Sequence, residues 1–283
     1  GEKGGRVVLW KEQGIGDQII LLSLVPEVQD MCASVSVYVD PRLHSLCKRT
    51  MTEVNFISDE NALKRENFDY HLSLGSVPGL VRNNIGDFDR TVTGYFKADP
   101  IRVDSIRKEL QLDGKIVIGI SWRSFKSLNQ TKKSVQLRDM GRIFMGLDVV
   151  LVNLQYGDVD DEIRDFKEET GIDVVQCPSV DNREDLDGLA ALIEACDMVV
   201  STSNVTVHMA GALGKETWVL LHYVTLYYWL IERTDSIWYP SLTLYRQPNL
   251  NDWDSVYASM REDLKNKFIG DKNLKANNDK KLF

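Results

Sequence analysis

The sequence predicts an α/β fold in two successive halves, each a parallel sheet covered by crossover helices. Three observations predict it. The chain has 283 residues, more than one hydrophobic core usually serves. Short β-rich runs alternate with amphipathic helical runs throughout, the pattern of parallel strands joined by helices. The alternation begins afresh midway, at the apolar run Lys115 to Trp122 (KIVIGISW), which has the length of a buried central strand.

Taken in order, Val7 to Trp10 reads as a strand and Asp17 to Asp30 as a helix interrupted near Pro26. Ser34 to Val39 is the next strand, Pro41 opens a short helix, and Tyr70 to Leu74 is a further strand. In the second half, Val149 to Leu154 follows the KIVIGISW strand. Glu184 to Cys196 is helical, with Leu186, Leu189, Ile193 and Cys196 on one face. Met198 to Ser201 is a strand, Asn204 to Leu213 a helix with Gly214 as its C′ cap, and Thr217 to Leu221 a strand. Asp252 to Phe268 places Trp253, Val256, Tyr257, Met260, Leu264 and Phe268 on one stripe. The expected division is 1–112 and 113–250, with the boundary near Asp113-Gly114. A helix over 251–269 and a polar tail over 270–283, expected to fray, complete the chain.

Composition narrows the function classes. Hydrophobic residues make up 43% and charged residues 27%, the balance of a soluble globular protein. A net charge of −8 argues against binding duplex nucleic acid. Cys32, Cys47, Cys177 and Cys196 form no CxxC pair, and Gly1 to Gly5 reads as a domain boundary rather than a targeting peptide, so a reduced, cytoplasmic setting is expected. No apolar run approaches the ~20 residues that span a bilayer. His44, His71, His208 and His222 form no HxxxH or HExxH, and no acidic cluster has EF-hand spacing, so no metal is expected.

Two strand-to-helix junctions carry candidate chemistry. Glu12-Gln13-Gly14-Ile15-Gly16-Asp17 follows the first strand and opens the first helix. It resembles a dinucleotide fingerprint, with Asp40 placed as a ribose-binding acid. Ile19 stands where the third glycine belongs, however, and Asp17 would repel a pyrophosphate at the helix start. Asp17 instead suits a general base, or a residue that only stabilises the helix start. The second junction is Ser201-Thr202-Ser203-Asn204-Val205-Thr206-Val207-His208. Its helix start can bind a phosphate, with Ser203, Asn204 and Thr206 as neutral donors; Ser203 or Asn204 acting only as a cap is the alternative. His208 taken alone also fits a satisfied, partly buried histidine. The loop after KIVIGISW carries Ser121, Arg123, Lys126, Lys132 and Lys133 at the carboxyl end of a parallel strand. Cations there would neutralise a pyrophosphate, unless the lysines are merely solvated.

Together these residues resemble glycosyltransferase family 9, the heptosyltransferase-like GT-B enzymes, in the form found C-terminal to tetratricopeptide repeats. The resemblance rests on Glu12 to Asp17, Asp69 to Ser76, Gly119 to Arg123, Leu154 to Asp158, Asn204 to Gly214, Trp238 to Ser241 and Tyr245 to Gln247. These pieces run in the family's order. The resemblance implies two Rossmann-like domains with parallel sheets facing across a cleft, the final helix crossing back to the first domain. It implies inverting, metal-independent transfer from a nucleotide sugar, with no cofactor beyond that donor. Asp17 falls on the family's general base, and Gly14, Gly16 and Gln18 on the acceptor-side loop. Ser121, Arg123, Lys132, Gln155, Ser203, Asn204, Thr206 and His208 fall on the donor side. The family usually has Asp where Ser203 stands, so the donor sugar stays open. A glycan or protein acceptor, preceding tetratricopeptide repeats and a cytoplasmic location peripheral to the inner membrane are further implied. A sugar-nucleotide epimerase, an NAD-dependent enzyme and a non-catalytic binding module on the same fold are the competing readings.

Overall fold

The computed structural model describes residues 4–65, 67–124 and 134–279. The first half holds strands β1 (Gly4–Trp10), β2 (Cys32–Tyr38), β3 (Asn55–Ile57) and β4 (Tyr70–Ser73), all parallel, in the order β3-β2-β1-β4. The second holds β5 (Val117–Ser121), β6 (Val150–Asn153), β7 (Val174–Val175), β8 (Met198–Thr202), β9 (Thr217–Leu221) and β10 (Leu242–Arg246). These too are all parallel, in the order β10-β9-β8-β5-β6-β7. Read from β7, this is the 3-2-1-4-5-6 strand order of a dinucleotide-type doubly wound sheet.

The helices are α1 (Ile15–Leu22), α2 (Val25–Met31), α3 (His44–Thr50), α4 (Glu60–Arg65), α5 (Pro78–Val81) and α6 (Pro100–Glu109), then α7 (Leu137–Met140), α8 (Asp160–Thr170), α9 (Leu186–Ala195), α10 (Val205–Leu213) and α11 (Trp253–Asp279). The helix expected over Asp17 to Asp30 is two helices. Tight turns close at Ser23 and Leu24, and Pro26 sits in the first turn of α2, where its missing N–H costs nothing. β3 and β7, with 3 and 2 residues, escape the sequence reading because so short a run shows no periodicity. β10 also escapes it: an edge strand, it buries only Leu242 and Leu244.

One core runs continuously from the first half into the second. Leu9, Ile19, Leu22 and Val37 join Val117, Val199, Leu189, Ile193, Val207 and Val219 in it. The opposite face of the second sheet, through Ile118, Ile120, Val200 and Leu220, packs under Val256, Tyr257, Met260 and Leu264 of α11. The halves are also joined by polar contacts. The Arg49 guanidinium donates to both carboxylate oxygens of Asp187 at 2.7 and 2.6 Å, and the Phe96 amide donates to the Ala212 carbonyl at 2.8 Å. Helix α6, which precedes the expected boundary at Asp113-Gly114, packs on α9, where Arg102 pairs with Asp185 and Arg107 donates to the Ala195 carbonyl at 2.6 Å.

The final helix departs from the expectation in two ways. Through Phe268 it lies on the second sheet instead of crossing to the first half: its stripe is apolar, and the exposed face of that sheet is the apolar surface beside it. Arg142 pairs with Asp254 at 2.5 Å and Lys267 with Glu216 at 2.9 Å along the same contact. The segment expected to fray continues as helix to Asp279, and 280–283 lie outside the described residues.

All four cysteines are buried and none is in a disulfide. Burial pushes the Cys47 and Cys196 thiols up to about 12. Both should therefore resist iodoacetamide at pH 8 in the native protein and react once it is unfolded. Because the unfolded chain ionises these thiols first, near an ordinary pKa of about 8.5, stability should fall as pH rises above that value. Rapid labelling of either thiol in the folded protein, read by peptide mass spectrometry, would contradict this packing.

Candidate functional site

The strand order reverses between β5 and β8 in one sheet and between β1 and β4 in the other. Loops leaving such a pair diverge and open a crevice at the carboxyl ends of the strands. The crevice of the second half lies between the loop after Ser121 and the Ser203-Asn204 turn into α10. The crevice of the first half lies between Lys11 to Gly14 and Leu74 to Ser76, where the Gly75 amide donates to Glu12 Oε1 at 3.1 Å.

The two crevices meet where α1 and α10 begin. A Cβ built on Gly16 would stand 2.8 Å from Cδ2 of His208, closer than carbon atoms tolerate. Glycine is required there because the first turn of α1 rests on the imidazole. Gly14 has no such constraint, since its Cβ would make only an ordinary 3.5 Å contact with Asp17. Gln18 is buried and structural: its amide donates to the Gln13 carbonyl at 3.1 Å and accepts from the Asp40 amide at 2.8 Å. It thereby ties the loop after β1 to the end of β2.

Asp17 occupies the first turn of α1 and is half-buried beside an aromatic cluster from the second half. His208, only 3% exposed, has Nδ1 3.1 Å from the Tyr239 hydroxyl and Nε2 3.3 Å from the Tyr228 hydroxyl. Its ring stacks on Trp229, with centroids 5.6 Å apart and planes inclined by 14°. The Trp229 indole donates to Ser203 Oγ at 2.8 Å, so Ser203 sets a neutral hydroxyl against the cluster. Burial raises the Tyr227 and Tyr228 phenol pKa values, and the negative charge of Asp17 adds to both shifts.

Four of the expected donor-side residues form one buried network at the strand ends. Asn204 Nδ2 donates to Ser121 Oγ at 2.7 Å and to the Arg123 carbonyl at 3.2 Å, while its Oδ1 caps α10 by accepting from the Val207 amide at 3.4 Å. Gln155 Oε1 accepts from Ser121 Oγ, the Trp122 amide and the Arg123 amide at 3.0, 3.0 and 2.8 Å. Thr206 Oγ1 lies 3.4 Å from the Leu154 carbonyl. These groups hold the carboxyl ends of β5, β6 and β8 together, which positions the start of α10.

A cavity of about 510 Å³ lies between the halves, lined by Ile15 and Arg42 from the first and by Ser124, Tyr156, Asn182 and Arg183 among others from the second. The Arg42 guanidinium donates to Asp40 at 2.9 Å and, across the cavity, to the Arg183 carbonyl at 3.1 Å. Burial alone would raise the Asp40 carboxyl pKa, but the hydrogen bonds and charge of Arg42 outweigh it and hold the group below its ordinary value. Arg123 turns elsewhere: it pairs with Glu162 and donates to the Asp158 carbonyl at 2.7 Å, lining a second cavity of about 390 Å³ beside α8. Lys132, with Lys126 and Lys133, lies outside the described residues. The sequence reading singled out none of Arg42, Asn182, Arg183, Tyr228, Trp229 and Tyr239 for the site. A discoverable signal was the aromatic run Tyr227-Tyr228-Trp229 a few residues beyond a strand's carboxyl end. Among the described residues no group of three or more His, Cys, Asp or Glu could hold a metal ion, and no helix is long and apolar enough to cross a membrane.

No family model matches the chain. Protein FlbA of Caulobacter vibrioides is 28% identical over 271 residues, a match that covers 89% of this chain and 45% of FlbA. The chain thus spans less than half the length of that relative. Among solved structures, a glycosyl transferase family 9 protein of Veillonella parvula superposes with a TM-score of 0.58 at 12% identity, covering 92% of this chain and 90% of the other. The Escherichia coli ADP-heptose lipopolysaccharide heptosyltransferase II superposes with a TM-score of 0.63 at 11% identity, covering 92% and 99%. At these identities the likeness establishes architecture: the chain has the GT-B fold of the family 9 glycosyltransferases, two parallel Rossmann-like sheets meeting across a cleft.

Proposed function

We propose that the chain is a glycosyltransferase that moves a sugar from a nucleotide-sugar donor to a hydroxyl acceptor, with inversion and without a metal. The observation that carries this reading is the placement of Asp17 in the first turn of α1, directly against the α10 start that borders the donor-side crevice. In this reading Asp17 takes the proton of the acceptor hydroxyl as its oxygen bonds to the anomeric carbon. The bond from that carbon to the donor phosphate breaks, and its electron pair leaves with the nucleotide. The α10 N-terminus, held by the Asn204 cap, and the cavity cations Arg42 and Arg183 stabilise the charge on that phosphate. Arg123, engaged by Glu162, is a donor ligand only if that pair opens. The acceptor is a glycan or a protein, recognised with the help of tetratricopeptide repeats preceding this segment, in the cytoplasm at the inner membrane.

Thermal shift with a panel of nucleotides and nucleotide sugars tests the reading. A nucleotide present at 100 times its Kd should stabilise the fold by about 2.7 kcal/mol. Transfer from the matching donor should survive EDTA. A panel that leaves the melting temperature unmoved would overturn the donor assignment. Conversion of the donor to an epimer, with no sugar transferred, would favour the epimerase reading.

A further inference from the structure

The aromatic cluster around His208 has a second consequence, which rests on the glycosyltransferase reading and adds residues to its site. His208 is almost fully buried, touches the backbone of the first half at Gly16, and holds a tyrosine hydroxyl at each ring nitrogen. Those tyrosines come from separate places in the second half. Tyr228 belongs to the turn after β9, and Tyr239 stands just before β10, where Gly211 of α10 leaves room for its ring. A Cβ on Gly211 would lie 2.5 Å from the Tyr239 ring. On the other side, the Tyr95 hydroxyl, hydrogen-bonded to the Ile19 carbonyl at 2.6 Å, fastens the next turn of α1. The first turn of α1, which carries Asp17, is therefore braced against the imidazole at Gly16 and secured one turn later by Tyr95.

We propose that Tyr228 and Tyr239 are positioning residues for catalysis: through His208 they set the height of the first turn of α1, and hence of the Asp17 carboxylate, over the start of α10. A histidine with both nitrogens held has a set ring orientation, whereas a ring held at one nitrogen can rock about its Cβ–Cγ bond. The Gly16 contact passes that motion to the turn carrying Asp17. A base displaced by a fraction of an ångström still faces its substrate but meets the acceptor hydroxyl in poorer alignment, so turnover falls while donor binding persists.

Tyr228→Phe and Tyr239→Phe remove one hydroxyl each and keep the packed ring. Each should lower kcat about tenfold, with donor KM within twofold of wild type and the melting temperature within a few degrees. An unchanged kcat in both variants, or kcat loss only in proportion to lost stability, would overturn the proposal. A second measurement does not depend on activity: the carboxyl carbon of Asp17, followed by NMR in the resting protein, should shift in Tyr228→Phe while exposed Asp104 stays fixed. If wild type transferred no sugar yet the Asp17 resonance moved, the glycosyltransferase reading would fall and the mechanical link would stand. A resonance unmoved in both variants would refute the link even in an active enzyme.

Discussion

Asp17→Asn should lower kcat by roughly 10²–10⁴-fold, the usual contribution of a general base. The substitution keeps the size and hydrogen-bonding reach of the side chain and removes the basic oxygen. Its structural cost should be small. The N-cap of α1 is Gly14, which contributes no side-chain bond, and the charge of Asp17 in the first turn stabilises the helix near the positive end of its dipole. That effect is about 0.3–1 kcal/mol, a shift of a few degrees at most in a protein of this size. Donor Kd should be nearly unchanged, because the nucleotide is assigned to the opposite wall. If Asp17 only stabilised the helix start, the outcome would invert, with a small loss of melting temperature and activity retained. Measuring kcat, donor Kd and thermal stability on this one variant decides between the two, and near-normal kcat would remove Asp17 from the base role.

The largest stability effect is expected at Asn204. This side chain is 6% exposed, caps α10, and donates to Ser121 Oγ and to the Arg123 carbonyl. Asn204→Ala removes a cap worth about 1 kcal/mol and the amide donor to Ser121 Oγ and the Arg123 carbonyl, each lost bond costing roughly 1–3 kcal/mol where water cannot replace it. A loss of about 2–4 kcal/mol is expected by denaturant titration. Nucleotide affinity should fall with it, since the α10 amides lose their fixed direction. Asn204→Asp separates the two contributions: it keeps the cap but cannot donate to Ser121, so its stability should lie between those of wild type and Asn204→Ala. A loss below about 0.5 kcal/mol in Asn204→Ala would mean that another group orders the ends of β5 and β8.

What the sequence determined by itself is local. The run Lys115 to Trp122 announces β5 because a strand buried on both faces needs an unbroken apolar stretch, and β5 is buried throughout. Asn204 before Val205, and Gly214 after Leu213, mark both ends of α10 because capping acts within four residues; Gly214 indeed has φ +73°. The placement of Asp17 at a helix start after a strand was legible for the same reason. What only the tertiary structure decided depends on partners distant in sequence. Arg123 leaves the cavity because Glu162, 39 residues later, takes its guanidinium. Arg42 faces Arg183, 141 residues away, because the cleft brings the ends of two separate sheets together. The last helix stays on the second sheet because the apolar face exposed there matches its stripe. His208 could be placed on α10 from its spacing. Its contacts with Gly16, Tyr228 and Tyr239 could not, because they arise where two strand orders reverse and face each other, and periodicity along the chain carries no record of strand order.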